Sequence, residues 1–397
     1  MSLCYTQTIR EAIMTEVLKL QNDVQFIYKQ NKNTPRMALC LNFSINQPEE
    51  IPGIYTLMAR LLLQGTKKYN SEQLANEFEK YAIDFASELF PNYLRIKFVC
   101  LNEDFSKALE LMDDILKNST FEEFEKERGK LKGELLAELD SAKVKISDLF
   151  TKTIYKNHFY GHSYTKILEE VENGTKQDVI NDYKTILNTG RKTLVIVGDT
   201  DDSEIVEKYL GELPSSCDTN SLIKTPEKVE QEYTELIKED ANQAQILQGW
   251  IVPTIGDKDY VTLMLLNIIL GASGLSSRLF LELREKKGLA YTVRTSYETH
   301  EKAAVFSIYI GTEPVNIQTS IDGFKEEIEK IKNILVSEEE LHNAKNNLIG
   351  KQQFLSETNS QQANAMAYYS IMGKPFNYRE TVLENINKVT PDDIQEC

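Results

Sequence analysis

The feature that most constrains the fold is an internal repeat. Residues 38–80 recur without a gap in residues 244–286, at an offset of 206 positions. The identical pairs are Ala38/Ala244, Leu41/Leu247, Ile45/Ile251, Thr56/Thr262, Leu57/Leu263, Met58/Met264, Gly65/Gly271, Ser71/Ser277, Glu79/Glu285 and Lys80/Lys286. Further along, the offset becomes 215, where Thr175 and Asp178 match Thr390 and Asp393. The repeat predicts one folding unit that occurs twice in the 397-residue chain.

The hydrophobic pattern within the first half predicts a sheet followed by helices. Alternating or continuous apolar runs indicate strands, and apolar residues at helical spacing indicate helices. Gly65 ends the first of these helices. In the strand at 93–99, Arg95 and Lys97 alternate with apolar residues and predict one wet face. The predicted strands are 17–20, 24–28, 37–45, 93–99 and 193–197, and the predicted helices are 52–64, 71–82 and most of 104–187.

Strands cluster early and helices late in each half, which predicts an α+β fold. We expect two homologous domains, each a mostly antiparallel sheet with helices packed on one face. Residues 213–240 are polar and charged and predict a linker, so the expected domains are 1–212 and 241–397. The second half ends before any counterpart of residues 193–197, and its sheet is expected to lack its last strand.

Composition excludes several classes of protein. The chain carries 45 Lys and Arg against 61 Asp and Glu, and its formal net charge of −16 disfavours nucleic acid as a partner. No apolar stretch is long enough to span a bilayer and no export signal is visible, so we expect a cytoplasmic protein without a membrane partner. The five scattered cysteines lack CxxC spacing and fit a reducing compartment: Cys4, Cys40, Cys100, Cys217 and Cys397.

One predicted helix carries an altered motif. The segment Gly-Ile-Tyr-Thr-Leu-Met-Ala-Arg-Leu-Leu-Leu-Gln-Gly-Thr, residues 53–66, resembles the opening helix of the insulinase and pitrilysin family of zinc peptidases, which includes the mitochondrial processing peptidase. In that family the helix carries HxxEH, whose histidines bind zinc and whose glutamate is the general base. Thr56, Ala59 and Arg60 stand at these positions here. A hydroxyl, a methyl and a guanidinium cannot replace them, so we expect no catalytic residue and no bound metal.

The resemblance also implies a third zinc ligand, a glutamate some seventy residues further on. Glu134 follows Arg60 by 74 residues, within Phe-Glu-Lys-Glu-Arg-Gly-Lys-Leu-Lys-Gly-Glu-Leu-Leu-Ala-Glu-Leu-Asp. We hypothesise that the Arg60 guanidinium pairs with Glu134 and replaces the metal by a salt bridge. The alternative is that Glu134 is one more solvated charge of its helix.

The second half keeps its motif. Residues 271–291 are similar over their whole length to the C-terminal motif of the same family, in which a glycine-containing loop leads to a helix and then to an Arg and a Tyr seven residues apart. The resemblance implies that Arg284 and Tyr291 bind the substrate backbone and steady the tetrahedral intermediate, as forked and phenolic donors do. By composition alone they would be a solvated helix charge and a strand aromatic.

The loop that opens this motif belongs to the predicted site, whereas the histidines do not. Gly271, Gly274 and Ser276 form the loop at the start of the motif. We expect this loop mainly to make a turn between helices and, in second place, to line the substrate cleft. The histidines are too isolated, or too poor in acidic partners, to predict a zinc site, and we expect structural or surface roles for them. They are His158, His162, His300 and His342.

The resemblance implies that the fold is half of a clam-shell dimer that encloses a chamber. We therefore expect a non-catalytic subunit of a heterodimeric zinc peptidase that binds unfolded peptides and completes the site of a homologous partner with intact HxxEH and bound zinc. The isolated chain could form a homodimer. The alternatives are a purely structural relative, an autonomous enzyme with another nucleophile, and a stand-alone peptide-binding module without proteolysis. The acidic charge would favour basic peptides only if carboxylates line the chamber.

Overall fold

The computed structural model describes residues 15–200, 203–215, 221–230, 233–234 and 242–397. Parts of the predicted linker, with Cys4 and Cys217, lie outside these residues. The strands are β1 Thr15–Lys19, β2 Gln25–Gln30, β3 Arg36–Ser44, β4 Asp84–Phe90, β5 Tyr93–Leu101, β6 Lys192–Gly198, β7 Ala244–Val252, β8 Ala290–Thr299 and β9 Ala304–Thr312. The helices are α1 Ile54–Leu61, α2 Ser71–Lys80, α3 Phe105–Asn118, α4 Phe124–Glu138, α5 Ala142–Ile154, α6 Tyr164–Glu170, α7 Lys176–Thr189, α8 Ser203–Leu210, α9 Tyr260–Asn267, α10 Ile317–Asn333, α11 Glu338–Phe354, α12 Asn359–Ile371, α13 Tyr378–Lys388 and α14 Pro391–Glu396.

The first half forms a six-stranded sheet with the order β1-β2-β6-β3-β5-β4. All of its pairings are antiparallel except that of β2 with β6. One face of the sheet, with Leu39, Leu41 and Ile96, packs in a large apolar core with residues of α1, α3 and α7. The predicted α+β class and mostly antiparallel sheet are therefore confirmed.

The second half repeats this plan with fewer strands. Its described residues form a three-stranded antiparallel sheet with the order β7-β9-β8, and helices α9 to α14 follow the order of their first-half counterparts. The two repeat positions at offset 215 are alike in detail. Thr175 caps α7 and Thr390 caps α14, each through a capping box with the Asp three residues later.

The two halves exchange one helix each. Helix α12 of the second half covers the outer face of the first sheet, where Ala363 and Ala367 pack against Ala38, Cys40 and Val195. Helix α5 of the first half packs in the same way on β7 of the second sheet, where the Phe150 ring occupies the space above Gly249. Each sheet therefore has its own helices on one face and a helix of the other half on the opposite face.

This exchange overturns one prediction about β5. Arg95 was expected on a wet face, but its side chain is covered by α12 and the residue is only 7% exposed. Its guanidinium donates to the Asn42 Oδ1 at 3.2 Å and to the Asn364 carbonyl at 3.5 Å. The alternation of β5 was detected correctly, but the partner of its polar face lies about 270 residues away in the chain.

Strand β4 was not predicted. It is an edge strand with half-buried residues on both faces, so it lacks the alternation that marks a strand in sequence. Cys40 and Cys100 are buried free thiols, and Cys397 is an exposed one. Within the described part of the chain, no helix has the length and hydrophobicity that a bilayer-spanning segment requires.

Candidate functional site

The helix that carries the altered motif is held at its N-terminal end. Glu49 accepts hydrogen bonds from the backbone N–H groups of Gly53 and Tyr55, at 3.1 and 2.8 Å, and so satisfies the first turn of α1. Gly53 has a φ of 95°, where a side chain would also collide with Ile167. These contacts explain why the Gly that opens the motif remains although the zinc ligands have gone.

The structure brings Arg60 and Glu134 together. The Arg60 Nη2 lies 2.6 Å from the Glu134 Oε2, across the contact between α1 and α4. The hydrogen bond from Arg60 lowers the pKa of the Glu134 carboxyl below its usual value. The hypothesised pairing is therefore present, although both side chains are partly exposed, at 30% and 57%, and such a pair adds little stability.

The residues at this position do not fit a zinc ion. Zinc requires three or four N, O or S ligands, and here a methyl stands at Ala59 and a fixed cation at Arg60. The one carboxylate that could serve, Glu134, is engaged by that cation. Among the described residues, no cluster of three or more His, Cys, Asp or Glu side chains could hold a metal.

Three of the four histidines have the structural roles expected of them. His162 Nδ1 lies 2.8 Å from the Glu49 Oε1, so it supports the carboxylate that caps α1. His158 accepts a hydrogen bond from the Tyr160 N–H and contacts the Lys224 carbonyl through Nε2, at 2.9 Å. His300 packs against Tyr160 at the contact between the halves. His342 is exposed on α11, 3.0 Å from Asn346.

The second predicted site forms around an irregularity at the start of β8. Ala290 pairs with Thr312 and Thr292 pairs with Gly311, so Tyr291 stands between them without a partner, in a β-bulge. Bulges occur beside active sites because they re-aim a side chain. The Tyr291 side chain is directed outwards and the residue is 79% exposed.

Arg284 holds the backbone of this bulge. It lies in the π-type helix Phe280–Lys286, and its Nη1 donates to the Tyr291 carbonyl at 2.6 Å. Its guanidinium also stacks on the Phe280 ring, 4.8 Å from the ring centroid. The remaining N–H groups of Arg284 and the Tyr291 hydroxyl make no hydrogen bond to a described residue, so both side chains have donors to offer.

The loop before this helix is shaped by its glycines. A Cβ at Gly271 would lie 2.5 Å from the Thr295 backbone nitrogen, so only glycine allows the chain to pass so close to β8. Gly274 has a φ of 73°, in the left-handed region. Ser276 donates only to the neighbouring Ser273 hydroxyl, at 3.3 Å. The turn role of the loop is visible, and its role in lining a cleft stays a prediction.

A groove of about 280 Å³ opens beside the exposed tyrosine. Its walls come from both halves. Tyr291 and Thr292 of β8, Tyr309 of β9 and Gln245 of β7 face Ser141, the N-cap of α5, and the first two residues of that helix, Ala142 and Lys143. The Tyr309 hydroxyl donates to the Gln245 Oε1 at 2.5 Å, which orders one wall. The loop residues Gly271, Gly274 and Ser276 do not line this groove.

The structure thus pairs Arg60 with Glu134 and Arg284 with Tyr291, and no hydrogen bond or ion pair joins the two pairs among the described residues. The groove was not predicted from the sequence, because its walls are contributed by separate segments. Apart from Tyr291, none of the lining residues belongs to a motif. Only the exposed Tyr291 was signalled in advance, through the resemblance.

The sequence is similar to known families and proteins. The family described as insulinase (peptidase family M16) matches residues 24–170, and the peptidase M16 inactive domain matches residues 173–348. The chain is 26% identical over 386 residues to the uncharacterized zinc protease YmxG of Bacillus subtilis, which covers 94% of this chain and 92% of that protein. It is 24% identical over 393 residues to the non-peptidase homolog YmxG of Helicobacter pylori, with coverage of 95% and 88%.

Another relative is the probable inactive metalloprotease YmfF of Bacillus subtilis, 26% identical over 372 residues, with coverage of 85% of this chain and 84% of that protein. A solved peptidase M16 inactive domain from Pseudomonas fluorescens has a TM-score of 0.83 at 20% identity, covering 96% of this chain and 93% of that one. A protease structure from Helicobacter pylori has a TM-score of 0.86 at 20% identity, with coverage of 96% and 95%. The chain therefore belongs to the insulinase family of peptidases, as a member in which the zinc-binding motif is lost.

Proposed function

We propose that this chain is the non-catalytic subunit of a heterodimeric zinc peptidase. It binds unfolded peptide and supplies Arg284 and Tyr291 to the active site of a homologous partner. The chain needs no cofactor of its own in this role, and the zinc belongs to the partner, which keeps HxxEH.

The observation that carries this proposal is the contrast between the two sites. On α1 the metal ligands are replaced and the remaining carboxylate is paired with Arg60. On β8, in contrast, a bulge and a hydrogen bond from Arg284 to the Tyr291 backbone keep these two residues together with free donors. A purely structural relative has no need of an exposed tyrosine held in this way.

The chemistry assigned to these residues follows from their donors. A guanidinium anchored through Nη1 still offers N–H groups in a fixed plane, and a phenol offers one O–H. Donors of this kind stabilise the oxyanion that develops when a peptide carbonyl is attacked. Because Arg284 is held by the Tyr291 carbonyl, its guanidinium is positioned next to the residue that carries the phenol before substrate arrives.

The test is reconstitution with a homologous subunit that carries HxxEH. Cleavage of an unstructured, internally quenched peptide is followed for each chain alone and for the mixture. We expect little activity from either chain and activity from both together. Arg284→Ala or Tyr291→Phe is expected to lower the rate of the mixture by about a hundredfold or more, the usual cost of one oxyanion donor.

A matched control is Lys286→Gln, on the same helix as Arg284. Lys286 is exposed and pairs with Glu282 within its own helix, so its loss should leave the rate of the mixture unchanged. Zinc-dependent hydrolysis by this chain alone would refute the proposal. Peptide binding without cleavage in any mixture would instead favour the second candidate, a stand-alone peptide-binding module, for which the exposure of Tyr291 in the single chain is the supporting observation.

A further inference from the structure

The groove beside Tyr291 has an unusual charge environment. The chain as a whole has a formal net charge of −16, with 61 acidic residues. Yet none of the nine residues that line the groove is acidic, and Lys143 is among them. The remaining walls offer hydroxyl and amide groups, which also donate hydrogen bonds.

Two further cations each contact a residue that lines the groove. The Arg294 guanidinium stacks on the Tyr309 ring, 5.5 Å from its centroid, and Tyr309 lines the groove. Arg284 contacts Tyr291, another lining residue. None of Lys143, Arg284 and Arg294 forms an ion pair with a described carboxylate. Three cations without acidic partners around one groove favour a ligand that supplies the carboxylate.

We propose that this groove binds a carboxylate of the peptide ligand, either an acidic side chain or a free C-terminus. The inference rests on the proposed function, because it names the class of peptide that Tyr291 receives. It reverses the expectation of basic peptides, which required carboxylates along the chamber wall. The volume of the groove, about 280 Å³, accommodates a side chain or a chain end rather than a folded segment.

The groove and a bound carboxylate interact over a short distance. Their affinity is therefore measured at an ionic strength that screens the distant charges of the chain. At 0.15 M salt the Debye length is about 8 Å, which screens the remote negative charges of the chain and leaves direct contacts in the groove. Exposed ion pairs give a preference of about two- to fivefold each. Two or three contacts therefore predict a preference of about tenfold for an acidic peptide.

The experiment measures fluorescence anisotropy of two rhodamine-labelled, unstructured peptides with the full chain. The peptides differ only by a central Glu-Glu or Gln-Gln, and each is made with an amidated and with a free C-terminus. We expect about tenfold tighter binding of a carboxylate-bearing peptide over the amidated Gln-Gln peptide. The four peptides separate the two sources, since either Glu-Glu or the free terminus carries the preference.

Substitutions of single cations test where the preference for carboxylate-bearing peptides arises. Lys143→Gln and Arg294→Gln should each lower the preference by about two- to fivefold, with far-ultraviolet circular dichroism confirming the fold. Lys152→Gln is the matched control, because Lys152 is exposed near the other end of α5 and its loss changes the net charge equally. An equal effect of Lys152→Gln would attribute the preference to bulk charge and overturn the inference.

The remaining outcomes separate this inference from the proposed function. Equal binding of all four peptides overturns the inference. If that equal binding still weakens with Arg284→Ala, the site at Tyr291 stands and the proposed function survives. No binding of any peptide overturns both the carboxylate preference and peptide binding by the isolated chain.

Discussion

Burial of His300 makes the contact between the two halves sensitive to pH. His300 lies in the turn between β8 and β9, and its ring centroid is 4.6 Å from that of Tyr160 and 5.9 Å from that of Tyr155, both in the first half. Burial lowers the pKa of His300 from 6.5 to about 4, and the nearby His158 adds to this effect. The neutral imidazole is therefore the form that fits between the halves.

The direction of the pH effect on the free energy of unfolding follows from proton binding. Between pH 6.5 and pH 4, the unfolded chain binds a proton at His300 that the folded chain does not, so the free energy of unfolding falls as the pH falls. The stabilisation is complete above pH 6.5. At pH 4.5 the two pKa values give a loss of at most about 2.5 kcal/mol, and because part of the ring remains accessible we expect about 2 kcal/mol.

The perturbation is His300→Gln, which stays neutral at every pH. Urea unfolding is followed by the fluorescence of Trp250, the only tryptophan, from pH 7.5 to pH 4.5. The carboxylates titrate in both proteins and cancel in the comparison. The free energy of unfolding of the natural chain should fall by about 2 kcal/mol more than that of the variant. Parallel curves within about 0.5 kcal/mol would show that His300 titrates normally and refute the argument.

Two further predictions concern the frame of the Tyr291 site. Gly271→Ala should lower the free energy of unfolding by about 1 to 3 kcal/mol, because the added Cβ would lie 2.5 Å from the Thr295 nitrogen. The control is Gly133→Ala, in α4 with open space around it, which should raise the free energy of unfolding by about 0.5 to 1 kcal/mol. Thr312→Val should cost about 1 to 2 kcal/mol, because the buried Leu289 carbonyl loses the Thr312 hydroxyl at 2.6 Å. Chemical denaturation checks both, and a neutral Gly271→Ala or Thr312→Val would contradict the contacts assigned here.

Much of the first half was predictable because its signals are local. The strands β1, β2 and β3 and the helix α1 were predicted close to their observed bounds from apolar spacing and from Gly65. The pairing of Arg60 with Glu134 was also predicted, from the spacing that the family resemblance supplied. Edge strand β4 was missed, since it packs on both faces and has no periodicity to detect.

The candidate groove could not be predicted, for a different reason. Lys143, Gln245 and Tyr309 belong to segments that come together only when α5 crosses to the second sheet. The burial of Arg95 has the same origin, because α12 covers it from the other half. The hydrophobic periodicity of a strand indicates which of its faces is polar, but not whether another element covers that face.

The sequence by itself determined that one unit occurs twice, that the unit is a sheet with helices, and that Thr56, Ala59 and Arg60 cannot hold a metal. These properties depend on the identity and spacing of neighbouring residues. Only the tertiary structure decided that α5 and α12 are exchanged between the halves, that Tyr291 stands in a bulge, and that Arg284 and Arg294, which form no ion pair with a described carboxylate, lie near it. Such features depend on contacts between residues far apart in the chain, whose free energy no local pattern encodes.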